Sequence, residues 1–185
     1  GTTNYTVETK GLAYTAPIPV APGTTYNQGA LSTLPGLPVA SANHGTTGAT
    51  DNASAVLTQT SSTTYNVAST VPEVGDFTFS TIGWGYFNGS NVFVGTGANL
   101  GTSVKLALNG TAGKVLKVEF INTSGAKKEF LVTLGATPQN YTFDLTGFTG
   151  LMSMINFVSD EAGTTNYTVE TKGLAYTAPI PVATG

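Results

Sequence analysis

From residue 102 onward, apolar side chains return at every second position. Thr102 to Leu108 sets Val104, Leu106 and Leu108 on one face and Ser103, Lys105 and Ala107 on the other, the period of a strand with one face in a core and one in water. It stops at Asn109-Gly110, a turn pair. Lys114 to Ile121 then places Leu116, Val118 and Phe120 inward and Lys117 and Glu119 outward, and Ser124-Gly125 turns the chain into Lys128 to Leu134, with Phe130, Val132 and Leu134 inward. These two runs predict a hairpin. Tyr141, Phe143 and Leu145 continue the pattern, followed by Met152 to Val158 and Tyr167 to Leu174. From about residue 55, β-branched and aromatic runs alternate with Gly, Asn and Ser turns, and no helical period competes with them. The prediction is all-β: a two-sheet antiparallel β-sandwich of about nine strands.

A second pattern operates at the scale of the whole chain. Gly1 to Ala21 and Gly163 to Ala183 are identical residue for residue, an offset of 162 positions. That is a domain length, not the period of a solenoid. TNYTVETKGLAYT reads as a strand, and Pro179 and Pro181 after it end pairing. The C-terminal copy is therefore expected to supply the last strand of a unit spanning 22–183. Residues 1–21 are expected to be the tail and linker of a preceding unit or, alternatively, a donor strand that pairs with a neighbouring molecule. Five of the nine prolines fall between residues 16 and 38, a semi-rigid spacer composition. Residues 22–54 fit a loose strand pair as well as an ordered loop.

Composition narrows the function. The 185 residues suffice for one sizeable domain. Charged residues make up 9% of the chain, and Thr and Ser, roughly a quarter of it, carry the polarity instead. All seven basic residues are Lys and the net charge is -3, so no nucleic-acid surface is expected. There is no Cys, which removes disulfides, thiolate metal sites and thiol catalysis. No apolar run approaches the ~20 residues needed to cross a bilayer, so no membrane insertion is expected. A soluble module is expected, with any secretion signal outside it.

The segment from Leu100 to Leu174 resembles the second half of a galactose-binding-like jelly roll of the carbohydrate-binding-module type. The resemblance rests on the order of its parts: a strand ending in GTAGK (110–114), an amphipathic hairpin, YTFDL (141–145), MINFV (154–158) and a closing strand. Upstream, FTFSTIGWGYFNGS (77–90) is similar to the family's aromatic strand. These are scaffold motifs, and they imply a jelly-roll sandwich over about residues 55–175. The final strand reads VETKGL where an Asp often sits in the family, which departs from its structural calcium site.

Candidate chemistry is sparse. His44, the single histidine, lies in a turn-like Ser41-Ala-Asn-His-Gly45 with no second His or Cys to share a metal, and no G-x-S-x-G elbow occurs. It reads as a loop residue. Glu73, Asp76, Asp144, Asp160, Glu161 and Glu170 are the only candidate catalytic groups, and without Arg or a second His they read as solvated charges beside turns. No enzyme is expected. Asp76, Asp160 and Glu161 with nearby carbonyls could hold calcium, the one candidate cofactor, though no EF-hand spacing appears; otherwise they keep turns wet. Ile82, Trp84 and Tyr86 share one strand face and Phe77, Phe79 and Phe87 the other. If the phenylalanines point inward, Trp84 and Tyr86 form a platform on which a glycan stacks, with Asn88, Ser90 and Asn91 bonding its hydroxyls. The opposing reading places Trp84 in the core.

Sequons at Asn4, Asn52, Asn88, Asn109, Asn122, Asn140 and Asn166 agree with an extracellular or cell-surface setting. The chain is expected to be a non-enzymatic structural or adhesive repeat unit whose partners are identical neighbours and glycans. Two alternatives stand beside it: a filament subunit joined by strand donation, and a carbohydrate-binding module of a larger enzyme.

Overall fold

The computed structural model describes residues 24–26, 39–47, 50–61 and 63–171. Residues 1–21, and with them the N-terminal copy of the repeat, lie outside the described residues. The described chain is built of β-strands and contains no helix. One sheet has the order β1-β3-β4-β14-β8-β11, with β13 also on β4. Its strands are β1 (Thr24–Tyr26), β3 (Ser54–Gln59), β4 (Thr64–Val71), β8 (Ser103–Gly110), β11 (Gln139–Asp144), β13 (Gly163–Thr164) and β14 (Tyr167–Glu170). The other has the order β10-β9-β12-β5-β2, from β2 (Val39–Thr46), β5 (Asp76–Gly83), β9 (Val115–Asn122), β10 (Lys127–Thr133) and β12 (Met152–Ser159). A small ribbon of β6 (Gly85–Phe87) and β7 (Phe93–Gly95) stands beside them. All named pairings are antiparallel.

The alternation read from sequence decides which residues enter the core. Val104, Leu106 and Leu108 of β8, Leu116, Val118 and Phe120 of β9, Val132 of β10 and Phe143 of β11 are all buried in one cluster. The β9–β10 hairpin pairs Lys127 with Ile121 through Thr133 with Val115, as the Ser124-Gly125 turn predicts. Asn122 Oδ1 closes that turn by accepting from the backbone N–H of Ser124 and Ala126 at 3.0 and 2.9 Å. Short strands the pattern did not resolve (β1, β6, β7 and β13) bring the segments above the nine expected.

The interior also holds polar groups, each in a defined place. Tyr65 of β4 and Tyr167 of β14 both reach across the core to Ser80 of β5, at 3.3 and 3.1 Å, and the Tyr167 hydroxyl lies 3.0 Å from the Phe157 carbonyl. The Tyr167 hydroxyl donates toward both the Phe157 carbonyl and Ser80 Oγ, which share its one proton, and between Tyr65 and Ser80 either hydroxyl can donate. This relay ties β4 and β14 to the opposite sheet.

Candidate functional site

The face of the five-stranded sheet turned away from the core carries a hydrogen-bonded network of polar side chains. Antiparallel partners lie on the same face, so the registers define rows across it. One row runs Glu129, Glu119, Asn156, Thr81, Ser41; the next runs Leu131, Lys117, Val158, Phe79, Asn43. Along the first, Thr81 Oγ1 donates to Asn156 Oδ1 at 2.8 Å, and Asn156 Nδ2 to Glu119 Oε2 at 3.4 Å. Lys117 and Lys127 flank the same carboxylate at 3.3 and 3.4 Å.

Glu119 is held ionised by this setting. Its side chain is 7% exposed, and burial pushes its pKa up; Lys127, the Asn156 hydrogen bond and Lys117 together outweigh burial and leave it below the ordinary glutamate value. Beside it Phe77 and Phe79 lie stacked, ring centres 6.2 Å apart at 24°. The Phe77 ring lies over Gly45 of β2, where a Cβ would come within 2.8 Å of Cζ, so the glycine makes room for an aromatic floor. Phe77, Phe79, Lys117, Glu119, Lys127 and Asn156 line a cleft of about 580 Å³. A flat apolar surface next to charged donors and an acceptor is the chemistry that recognises an amphipathic, hydroxyl-rich ligand.

Of the two readings of the aromatic faces, the structure follows the one that places Trp84 in the core. Asp76, Thr78, Ser80 and Ile82 are buried along one face of β5, so Phe77 and Phe79 point outward and Trp84 packs against the core. The sequence could not separate the faces because Thr78 and Ser80 look like solvent residues; they are buried because Thr78 pairs with Ser69 at 2.6 Å and Ser80 sits in the tyrosine relay. Tyr86, 50% exposed, belongs to the β6–β7 ribbon opposite Val94. Phe87 packs edge-on against Phe93 there, 5.7 Å between centres. Asn88 Oδ1 closes the ribbon's own turn, accepting from Ser90 and Val92 N–H at 3.0 Å each, and Asn91 holds its left-handed corner at φ 59°. The structure thus gathers Tyr86, Asn88 and Asn91 on one ribbon and takes Trp84 into the packing beneath.

Of the calcium candidates, Asp76 and Asp160 line the same cleft and Glu161 stands apart from it. Asp76 is 2% exposed, with neither carboxylate oxygen meeting a hydrogen-bond partner among the described residues. Asp160 is exposed at the cleft rim. Glu161 turns to Lys114 at 3.8 Å and accepts from the Val115 N–H at 3.4 Å. Among the described residues no three acidic or histidine side chains stand where one ion could bind them, so these residues do not form the expected ligand set. His44 is likewise no loop residue. It lies in β2, paired opposite Thr78, with Nδ1 2.9 Å from Asp51; eight residues of pairing with β5 override the turn-like composition. Asp144, fully exposed, is held below the ordinary aspartate value by hydrogen bonds from Thr146, and its strand β11 belongs to the opposite sheet from the cleft.

Lys117, Glu119, Lys127, Asn156 and the outward phenylalanines were not singled out from sequence. The available signal was Asn156, a polar residue interrupting the apolar run MINFV, together with the outward Lys117 and Glu119. What was missing was the order of strands that sets them side by side.

No protein-family model matches the chain, and no curated protein matches it. Among solved structures, the chain is similar to a mutant of a family 29 carbohydrate-binding module complexed with mannohexaose, at a TM-score of 0.50 and 13% identity over 82% of this chain and 90% of that one. It is also similar to the family 11 carbohydrate-binding module of Clostridium thermocellum, complexed with a β-1,3-1,4-mixed-linked tetrasaccharide, at 0.48 and 7% identity over 82% and 95%. The fold is the jelly-roll β-sandwich found in carbohydrate-binding modules. Among the described residues, no helix is long and apolar enough to cross a membrane.

Proposed function

We propose that the chain is a non-catalytic, extracellular carbohydrate-binding module whose glycan lies on the outer face of the five-stranded sheet. The observation that carries this reading is the Phe77–Phe79 ring pair set in one cleft with the Lys117–Glu119–Lys127–Asn156 network. Sugar rings present apolar C–H faces and a rim of hydroxyls. The phenylalanines offer the stacking surface, the lysines donate and Glu119 accepts, with the side chains already held by one another before the ligand arrives. The mannohexaose bound to the similar family 29 module agrees with this ligand class. The reading favours a binding module over a passive spacer.

Isothermal titration with mannohexaose and cellohexaose tests it. Binding is expected with at least one, weakened about tenfold in Phe79→Ala, the effect of losing one stacking contact. Absence of heat at millimolar sugar, or equal affinity in Phe79→Ala and the parent, would sink the proposal.

A further inference from the structure

The strand β14 holds an interior place in the seven-stranded sheet, hydrogen-bonded to β4 on one side and β8 on the other. Four of its neighbourhood's side chains fill the core or seal it: Thr165, Tyr167, Val169 and Thr171 are all buried. β13 continues the contact, with Gly163 opposite Val71 and Thr164 opposite Thr70. Every one of these residues has an identical counterpart 162 positions earlier: Thr3, Tyr5, Val7 and Thr9 for the buried set, Gly1 and Thr2 for β13. Whatever the slot recognises in Gly163–Thr171, Gly1–Thr9 presents equally.

The connections allow the same chain to use either copy. β14 runs from Tyr167, opposite Val67, to Glu170, opposite Thr64, and the Thr171 N–H donates to the Thr63 carbonyl at 2.8 Å. β1 begins at Thr24, opposite Gln59, itself opposite Tyr65. A strand placed in the slot in this direction would therefore end on the edge of the sheet where β1 starts. Three strand spacings separate the two places, about 14 Å, and the fourteen residues 10–23 between Thr9 and Thr24 reach up to ~46 Å. The connection is long enough without strain.

We propose that the β13–β14 slot has two claimants in one chain: Gly1–Thr9 can replace Gly163–Thr171, with Tyr5 taking over the bonds to Ser80 and Phe157 and Val7 the place of Val169. The exchange frees residues 163–185 as an unpaired strand with the same sequence, able to complete an open slot elsewhere. The C-terminal copy holds the slot in the form described because only the three residues Asp160–Ala162 connect β12 to β13, against fourteen for the other copy. Loop closure alone gives it roughly a tenfold preference. The exchange is a property of the seven-stranded sheet, independent of the glycan cleft on the other one.

The test uses the full chain with one copy disabled. Tyr167→Asp with Val169→Asp puts carboxylates in two buried places and expels β14. Thr168 sits opposite Asn66, the two side chains touching at 2.8 Å, so in the exchanged form Thr6 takes that position. Thr6→Cys and Asn66→Cys, added to the same variant, then form a disulfide between positions 6 and 66, in a chain with no other cysteine to compete. We expect a monomer with one cooperative melting transition and a disulfide within a single chain. Adding Tyr5→Asp and Val7→Asp should abolish the transition. Two results overturn the proposal: loss of the transition in the Tyr167→Asp/Val169→Asp variant while Tyr5 and Val7 are intact, or a disulfide that joins two chains, which would put a neighbour's strand in the slot.

Discussion

Replacing Tyr167 by Phe tests the buried relay that anchors β14, and alkaline pH gives the test its leverage. Burial raises the Tyr65 hydroxyl well above its ordinary pKa, with the facing Tyr167 adding to it, and burial likewise raises Tyr167, partly offset by Ser80. Both stay protonated in the folded state at a pH where an unfolded tyrosine, at about 10, has lost its proton. The unfolded state then binds fewer protons than the native state, so stability falls as pH rises above 10. For one such group the loss by pH 11 is about 1.4 kcal/mol, and for the pair about 2.8 kcal/mol. Tyr167→Phe removes one of the two. At pH 8 it should cost about 1 to 2 kcal/mol, since the Phe157 carbonyl loses its donor; between pH 8 and 11 it should then lose about 1.4 kcal/mol less than the parent. Urea unfolding followed by Trp84 fluorescence at both pH values measures this. Groups common to both proteins cancel in the comparison. Equal pH 8 to 11 losses would refute the relay, and a variant as stable as the parent at pH 8 would refute the hydrogen bond to Phe157.

Four further outcomes follow from the same contacts. Glu119→Gln should flatten the acid limb of stability: the carboxylate's contribution is present above pH ~4.5 and lost as pH falls below it through the lowered folded value, so the parent loses more stability than the variant between pH 6 and 3 in urea unfolding. Asp76→Asn should raise the melting temperature by a few degrees, because it replaces a buried carboxyl group, whose oxygens meet no hydrogen-bond partner among the described residues, by an amide that cannot ionise; a drop by calorimetry would contradict this account of the site. Gly110→Ala should destabilise by about 3 kcal/mol or more in urea unfolding, since its Cβ would stand 2.2 Å from the Asn166 carbonyl oxygen, in backbone that cannot move without breaking the β8–β14 pairing. Leu131, 76% exposed on the edge strand β10, should accept Lys within about 0.5 kcal/mol.

The sequence disclosed the fold wherever alternation was clean. Leu116, Val118 and Phe120 set against Lys117 and Glu119 gave β9 its faces, and the same reading gave β8 and β10 to β12, because a strand with one wet face writes its burial into every second residue. It failed where burial is polar. Thr78 and Ser80 occupy the inner face of β5 on the strength of partners at Ser69, Tyr65 and Tyr167, contacts that lie 9, 15 and 87 residues away in sequence. The same blindness hid the cleft, since no spacing along one strand reveals that Glu119, Asn156 and Thr81 stand in one row over three strands. Residues 22–54 read equally as a loose strand pair or a loop because Ser41-Ala-Asn-His-Gly45 has weak strand propensity; the eight-residue register of β2 with β5 supplies what local preference does not.

The most direct test of the account is a map of amide chemical shifts in the 15N-labelled protein titrated with cellohexaose and mannohexaose. The account predicts saturable changes gathered at Phe77, Phe79, Lys117, Glu119 and Asn156 on the outer face of the five-stranded sheet. No change at millimolar sugar, or changes confined to Tyr86, Asn88 and Asn91 on the β6–β7 ribbon, would contradict it.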